Sequence, residues 1–233
     1  MKLPLAVLLG ICSICLALTW TPTRPDDHVL KIMCVGDSIT YGIGSPGGAA
    51  GYRAALAADY PYPIRFVGGW AYGTSQYANC EGYPGKTSYQ IEPHIAPAMA
   101  EFRPDVVLLL CGLNDIAPSR GNESPRVAAA GIRKIVSEIL ALKPDCRVYI
   151  ATLIPVYGHP QLTGSKWTAL NRNIASIGLG MGPRVRLVVM SAARLEPSDL
   201  FDGVHPNQGG YKKMAKVWAA ALKMWERRSP ATR

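Results

Sequence analysis

The sequence predicts an α/β domain built on a mostly parallel sheet of five strands. Five short apolar runs recur along the chain, at Leu30–Val35, Ile64–Gly68, Asp105–Cys111, Arg147–Leu153 and Val185–Met190, with helix-like segments between and after them. The third run, DVVLLLC, is apolar almost throughout, the pattern of a strand covered on both faces. No linker-like stretch interrupts the 233 residues, so one domain is expected.

The N-terminus stands apart from that domain. Lys2 precedes an apolar run from Leu3 to Leu18, shorter than the ~20 residues that span a bilayer. A positive start, a short apolar core and small residues near its end (Ala17, Thr19) describe a secretory signal peptide. It is expected over residues 1–23, leaving 24–233 as one extracellular domain without stable membrane insertion. Of six cysteines, Cys12 and Cys15 leave with the signal, and Cys34, Cys80, Cys111 and Cys146 remain in a compartment that permits disulfides. Four cysteines allow three pairings. Cys34 and Cys111 lie inside apolar runs, where buried free thiols are common.

Helical spacing follows the strands. Arg126–Leu142 places Val127, Ile132, Ile135, Ile139 and Leu142 on one face, and Gln208 to about Arg227 does so with Tyr211, Met214, Ala215, Trp218, Leu222 and Trp225. Pro104 and Pro144 stand just before strands, where helices should already have stopped. The chain is 48% hydrophobic, which excludes a disordered chain. Glycine and proline have no three-residue period, and neither heptads nor longer repeats occur, so collagen, coiled coils and solenoids are excluded. The net charge of +9 falls to +8 without Lys2. Much of the excess is Lys212, Lys213, Lys216, Lys223, Arg227, Arg228 and Arg233, spaced as a solvated helix face. No nucleic-acid partner is expected.

In open α/β sheets chemistry sits at the carboxyl ends of the strands. The first strand ends in Val35-Gly36-Asp37-Ser38-Ile39-Thr40. Ser38 on that turn is a candidate nucleophile, or simply a helix cap. The third ends in Cys111-Gly112-Leu113-Asn114-Asp115, and the Asn114 amide is a candidate oxyanion donor or a turn residue. After the fifth comes Asp202-Gly203-Val204-His205-Pro206-Asn207. An Asp three residues before a His can reach the imidazole and fix its tautomer. His94 and His159 have no acid at comparable spacing. Each signal is weak alone. Their convergence at three strand ends points to a hydrolase.

These residues resemble the SGNH hydrolases, the GDSL esterase/lipase superfamily. The resemblance rests on Gly36-Asp37-Ser38-Ile39-Thr40, a second block Cys80-Glu81-Gly82-Tyr83-Pro84-Gly85-Lys86-Thr87, Gly112-Leu113-Asn114-Asp115 and Asp202-Gly203-Val204-His205. Its four named residues fall on Ser38, Gly85, Asn114 and His205. The blocks look most like the secreted branch around carbohydrate esterase family three, although Lys86 stands where an aromatic residue is expected there and Leu113 replaces a common Thr. The resemblance implies a flavodoxin-like three-layer α/β/α sandwich. It also implies a serine esterase with Ser38, His205 and Asp202 catalytic and an oxyanion hole from Ser38, Gly85 and Asn114.

Gly42-Ile43-Gly44-Ser45-Pro46-Gly47 matches a dinucleotide-binding fingerprint. Its glycines begin seven residues after Val35, and no acid ends the second strand. It reads as a flexible loop beside the nucleophile. No cofactor is expected, and no metal site, because no two His or Cys are spaced as ligands. Asn122-Glu123-Ser124 is a glycosylation sequon. Trp70, Tyr72, Tyr77 and Tyr83 lie among small polar residues, so they either suit a sugar ring or pack their own loop. The expected substrate is a short acyl ester on a carbohydrate such as acetylated xylan, or another small ester. The alternatives are a lysophospholipase or thioesterase and a non-catalytic carbohydrate-binding protein.

Overall fold

The computed structural model describes residues 29–46, 50–71 and 73–226, without the side chains of Trp225 and Glu226. The signal segment 1–23, Gly47, Tyr72, the Trp225 ring, Arg227, Arg228 and Arg233 lie outside the described residues.

The chain runs β1 (Leu30–Gly36), α1 (Ser38–Tyr41), α2 (Arg53–Asp59), β2 (Ile64–Val67), β3 (Trp70–Ala71), β4 (Asn79–Gly82), α3 (Ser88–Ile91) and α4 (Ile95–Phe102). It continues through β5 (Val106–Leu110), α5 (Leu113–Ile116), α6 (Pro125–Leu142), β6 (Arg147–Ala151), α7 (Gly164–Gly180), β7 (Val185–Val188) and α8 (Gln208–Glu226). The α/β architecture is the one expected, a mostly parallel sheet flanked by helices. The strand number is not: the sheet has seven strands rather than five.

The five apolar runs became β1, β2, β5, β6 and β7. The two further strands have no apolar run to announce them. β4 reads NCEG, yet it extends the sheet because Glu81 and Gly82 pair with Val35 and Gly36 at the end of β1. That is just past the point where β2 stops pairing with Met33. β3 is a two-residue antiparallel partner of β4.

The order β3-β4-β1-β5-β6-β7 fixes the site. The chain builds outward from β1 on one side through β2 and β4, then crosses to β5 and builds the other way. The topological switch therefore lies beside β1, where such sheets open a crevice. All five β5 residues are buried, as expected of a strand covered on both faces. α2 packs on α8, and α6 packs on α4 and α7, giving the two helical layers. α6 buries Ile132, Ile135 and Ile139 but leaves Leu142 half exposed. Pro125 starts it after the Ser124 cap, whose Oγ accepts from Val127 N–H at 3.3 Å. Ser124 of the sequon thus has a structural role, and Asn122 sits exposed in the preceding turn. α8 buries Tyr211, Met214, Ala215, Trp218 and Leu222. Lys212, Lys216 and Lys223 face solvent, whereas Lys213 pairs with Asp199 at 2.6 Å.

Cys34, Cys80, Cys111 and Cys146 are buried and unbridged, so none of the three pairings occurs. Burial pushes the Cys34 and Cys146 thiols up to about 12, which keeps them protonated and inert. Among the described residues, no helix is long and apolar enough to cross a membrane. No group of three His, Cys, Asp or Glu among them could hold a metal ion.

Candidate active site

Gly36 ends β1 because nothing larger fits: a Cβ there would lie 2.0 Å from the Leu110 carbonyl oxygen of β5. The chain then turns sharply. Asp37 caps α1, its Oδ1 accepting from Ile39 N–H at 3.0 Å. Ser38 is the first residue of α1 and is 9% exposed. The other end of α1 is held by Arg53, a wholly buried guanidinium that donates to the carbonyls of Thr40, Tyr41, Tyr77 and Ala78. Those acceptors offset the cost of burying its charge.

His205 arrives from the far end of the sequence. It sits in a loop closed by the Leu200–Pro206 bridge and by Phe201 N–H donating to the His205 carbonyl at 2.7 Å. Lys213 fastens this loop to α8 through Asp199, and the Tyr211 hydroxyl ties α8 to α1 through the carbonyls of Ile39 and Ile43. The outcome is a continuous chain of contacts. His205 Nε2 lies 2.8 Å from Ser38 Oγ, and Nδ1 lies 2.7 Å from Asp202 Oδ2. Asp202 Oδ1 accepts from the N–H groups of Val204 (3.0 Å) and His205 (2.8 Å). Burial opposes ionisation of Asp202, but the backbone N–H of His205, its imidazole and the Val204 N–H together hold the carboxyl below its usual value.

Gly85 follows β4, and Tyr83 N–H donates to the Gly36 carbonyl at 2.8 Å, so the second block is tied to the strand that leads into Ser38. At φ +75° Gly85 occupies backbone space that other residues enter only with strain. Asn114 follows β5 in α5 and donates one amide hydrogen to the Lys86 carbonyl at 3.1 Å. Its NH2 carries a second donor. Asp115 holds the same two segments together. It is fully buried and accepts from Ser88 N–H (2.9 Å to Oδ2) and from the Ser88 hydroxyl. Ser38, Gly85, Asn114 and His205 all line one cleft of about 570 Å³.

The cleft also includes residues to which sequence reasoning assigned no role there. Ile43, Leu113, Leu162 and Val204 give it apolar lining, and His159, Gln161 and Arg120 polar lining. His159 Nε2 lies 3.0 Å from the Asp202 carbonyl oxygen, a backbone partner that no sequence spacing could signal. The loop from Gly42 does lie beside Ser38, through Ile43. Trp70, Tyr77 and Tyr83 are absent from the cleft lining. Tyr83 stacks on His94 at 4.5 Å, Tyr77 packs edge-on against Phe66, and Trp70 stays half exposed. Of the two readings open for this segment, Tyr77 and Tyr83 follow the packing one.

Asp37 is a second buried carboxyl at the cleft. Burial pushes its pKa up to about 6 against the opposing Ile39 N–H and the nearby His205. A folded-state pKa above the ordinary value means that the folded protein binds the proton more tightly. Stability therefore rises as pH falls from about 6 toward 4, and the cost of the buried charge is fully present above about pH 6. Asp37→Asn keeps an acceptor for Ile39 N–H and removes that charge. Its melting temperature should exceed that of the unaltered protein at pH 8, and the gap should shrink below pH 4. Equal midpoints at pH 8 would show that the charge is already compensated.

Comparison with known proteins gives concordant findings. Residues 34–213 match the GDSL-like Lipase/Acylhydrolase family. The chain is 25% identical to the "Acetylxylan esterase" of Xylanibacter ruminicola over 85% of its length and 44% of that protein's. It is 26% identical to the "Multidomain esterase" of Ruminococcus flavefaciens, covering 81% of this chain and 28% of that one. The chain thus spans less than half the length of either relative. Among solved structures, a Clostridium thermocellum family 3 carbohydrate esterase superposes with a TM-score of 0.72 at 28% identity, over 86% of this chain and 99% of that one. A carbohydrate esterase family 3 structure from Talaromyces cellulolyticus shares the fold, with a TM-score of 0.70 at 21% identity over 86% and 100% of the two chains.

Proposed function

Because the chain belongs to the GDSL-like lipase/acylhydrolase family, we propose that it is a serine esterase that removes short acyl groups from a carbohydrate. The observation that carries this reading is the unbroken Asp202–His205–Ser38 contact chain opening into the cleft beside Gly85 and Asn114.

The geometry suits a two-step acyl transfer. Ser38 Oγ attacks the ester carbonyl carbon while His205 Nε2 takes its proton. Negative charge gathers on the former carbonyl oxygen, which the N–H groups of Ser38 and Gly85 and the free Asn114 amide hydrogen stabilise. The tetrahedral intermediate collapses, His205 gives its proton to the leaving alcohol, and the acyl group stays on Ser38. Water, deprotonated by His205, then releases the acid and restores the serine. Asp202 accepts from Nδ1–H throughout, so Nε2 presents its lone pair to Ser38 and the imidazolium is stabilised. No step calls on a cofactor.

The relatives named for acetylxylan and carbohydrate esters support the carbohydrate reading. The apolar residues Ile43, Leu113, Leu162 and Val204 in a cleft of about 570 Å³ suit a small acyl group. Export rests on Lys2 and the Leu3–Leu18 run, and N-terminal sequencing of the mature protein tests it. A panel of aryl esters from acetyl to palmitoyl, run beside acetylated xylan, tests the substrate. Acetyl and propionyl esters should be hydrolysed with the highest kcat/KM, and acetylated xylan should release acetate. If palmitoyl esters or lysophospholipids win by kcat/KM, the lipid-hydrolase alternative replaces this reading.

A further inference from the structure

Arg120 is the charged group nearest the Gly85 face of the cleft that the catalytic steps do not use. It stands where the cleft meets a neighbouring depression of about 530 Å³. The two hollows share Pro84, Gly85 and Arg120, and Lys86, Gln90 and Glu123 lie on the far side. The guanidinium is close to Gly85: a Cβ on that residue would lie 3.1 Å from Nη1 and 3.3 Å from Cζ. A Cβ on Gly85 would thus meet a cation.

Arginine stays charged at any working pH. Among the described residues, no carboxylate pairs with Arg120. The depression holds two cations, Arg120 and Lys86, against Glu123 alone. A substrate with its carbonyl carbon at Ser38 Oγ and its oxyanion toward Gly85 has two ways to extend. The apolar residues Ile43, Leu113, Leu162 and Val204 of the cleft suit the acyl group. An alcohol part lying on the Gly85 side then meets Arg120. A planar guanidinium offers paired donors that match a carboxylate.

We infer that Arg120 is a specificity-determining residue that favours esters whose alcohol part carries a carboxylate, the chemistry of an acidic sugar. The inference rests on Ser38 being the nucleophile. It goes beyond that reading by naming the charge of the substrate. It also gives a place to Lys86, whose cation adds to the field of the same depression.

The test compares acetylated methyl glucuronoside with acetylated methyl glucoside, matched in acetyl position. At low salt the glucuronoside should have the higher kcat/KM by about two- to fivefold, the size expected of an exposed charge pair. The ratio should fall toward one near 1 M NaCl, where the screening length is ~3 Å. Arg120→Gln should abolish the preference, Arg120→Lys should keep part of it, and Arg120→Glu should reverse it. Arg120 is exposed, so these variants should fold, and the ratio within each variant cancels any loss of active protein. A ratio of one in the unaltered protein, or a ratio that survives in Arg120→Gln, overturns the inference. Hydrolysis of neither sugar overturns it too. Phenyl acetate turnover by the same sample then shows whether Ser38 as nucleophile survives.

Discussion

Ser38→Ala is expected to lower ester turnover by about 10⁶, as loss of the nucleophile does in other serine hydrolases. The change removes one atom. Oγ makes its hydrogen bond with His205 Nε2, whereas the turn itself is held by Asp37 capping Ile39 and by Arg53 at the other end of α1. Neither support involves the hydroxyl. The backbone N–H at position 38 also survives, so the variant should fold, keep its melting midpoint and still bind ester. A serine-reactive phosphonate should label the unaltered protein at Ser38 and leave the variant unmodified. Turnover within about tenfold of the unaltered protein, or labelling at another serine, would remove Ser38 from the mechanism.

Asp202→Asn should cost about 10³–10⁴ in kcat with little change in stability, since the comparable change in a serine protease costs ~10⁴ by imposing the wrong tautomer. The reason lies in how both carboxylate oxygens are used. Oδ1 accepts from two backbone N–H groups and Oδ2 faces His205 Nδ1. An amide has one acceptor. If its oxygen keeps the backbone pair, its NH2 donates to Nδ1, and Nε2 then carries the proton and cannot accept another from Ser38. If it turns the other way, the NH2 meets two N–H donors and the loop loses its anchor. An unchanged kcat would mean that His205 is oriented by something other than Asp202.

The sequence made the apolar strands legible because burial on both faces leaves a continuous hydrophobic run, as in Val106–Leu110. It hid β4, whose Glu81 is buried only because the Tyr83 hydroxyl and Gly69 N–H satisfy it. Those partners cannot be found by periodicity. Ser38, Gly85, Asn114, Asp202 and His205 could be singled out because each lies on a short local motif. Arg120 and His159 could not. Their places depend on turns at 117–122 and 157–162 that meet the cleft only in three dimensions. The aromatic segment from Trp70 to Pro84 left two readings open for a related reason. A ring among polar neighbours looks like a binding platform until its packing partners, Phe66 and His94, are known.

Ser38 and His205 are separated by 167 residues, and only the docking of α8 and its preceding loop brings them together. Contacts of such long range are the slowest to form, because the entropy of closing the loop must be met first. A nascent polypeptide emerges N-terminus first. β1 and its serine can therefore take up their places while the imidazole is still unmade. Until α8 docks, Ser38 lacks the His205 contact that the proposed mechanism needs. On the proposed mechanism, hydrolytic competence therefore requires the docked α8 as well as the serine itself.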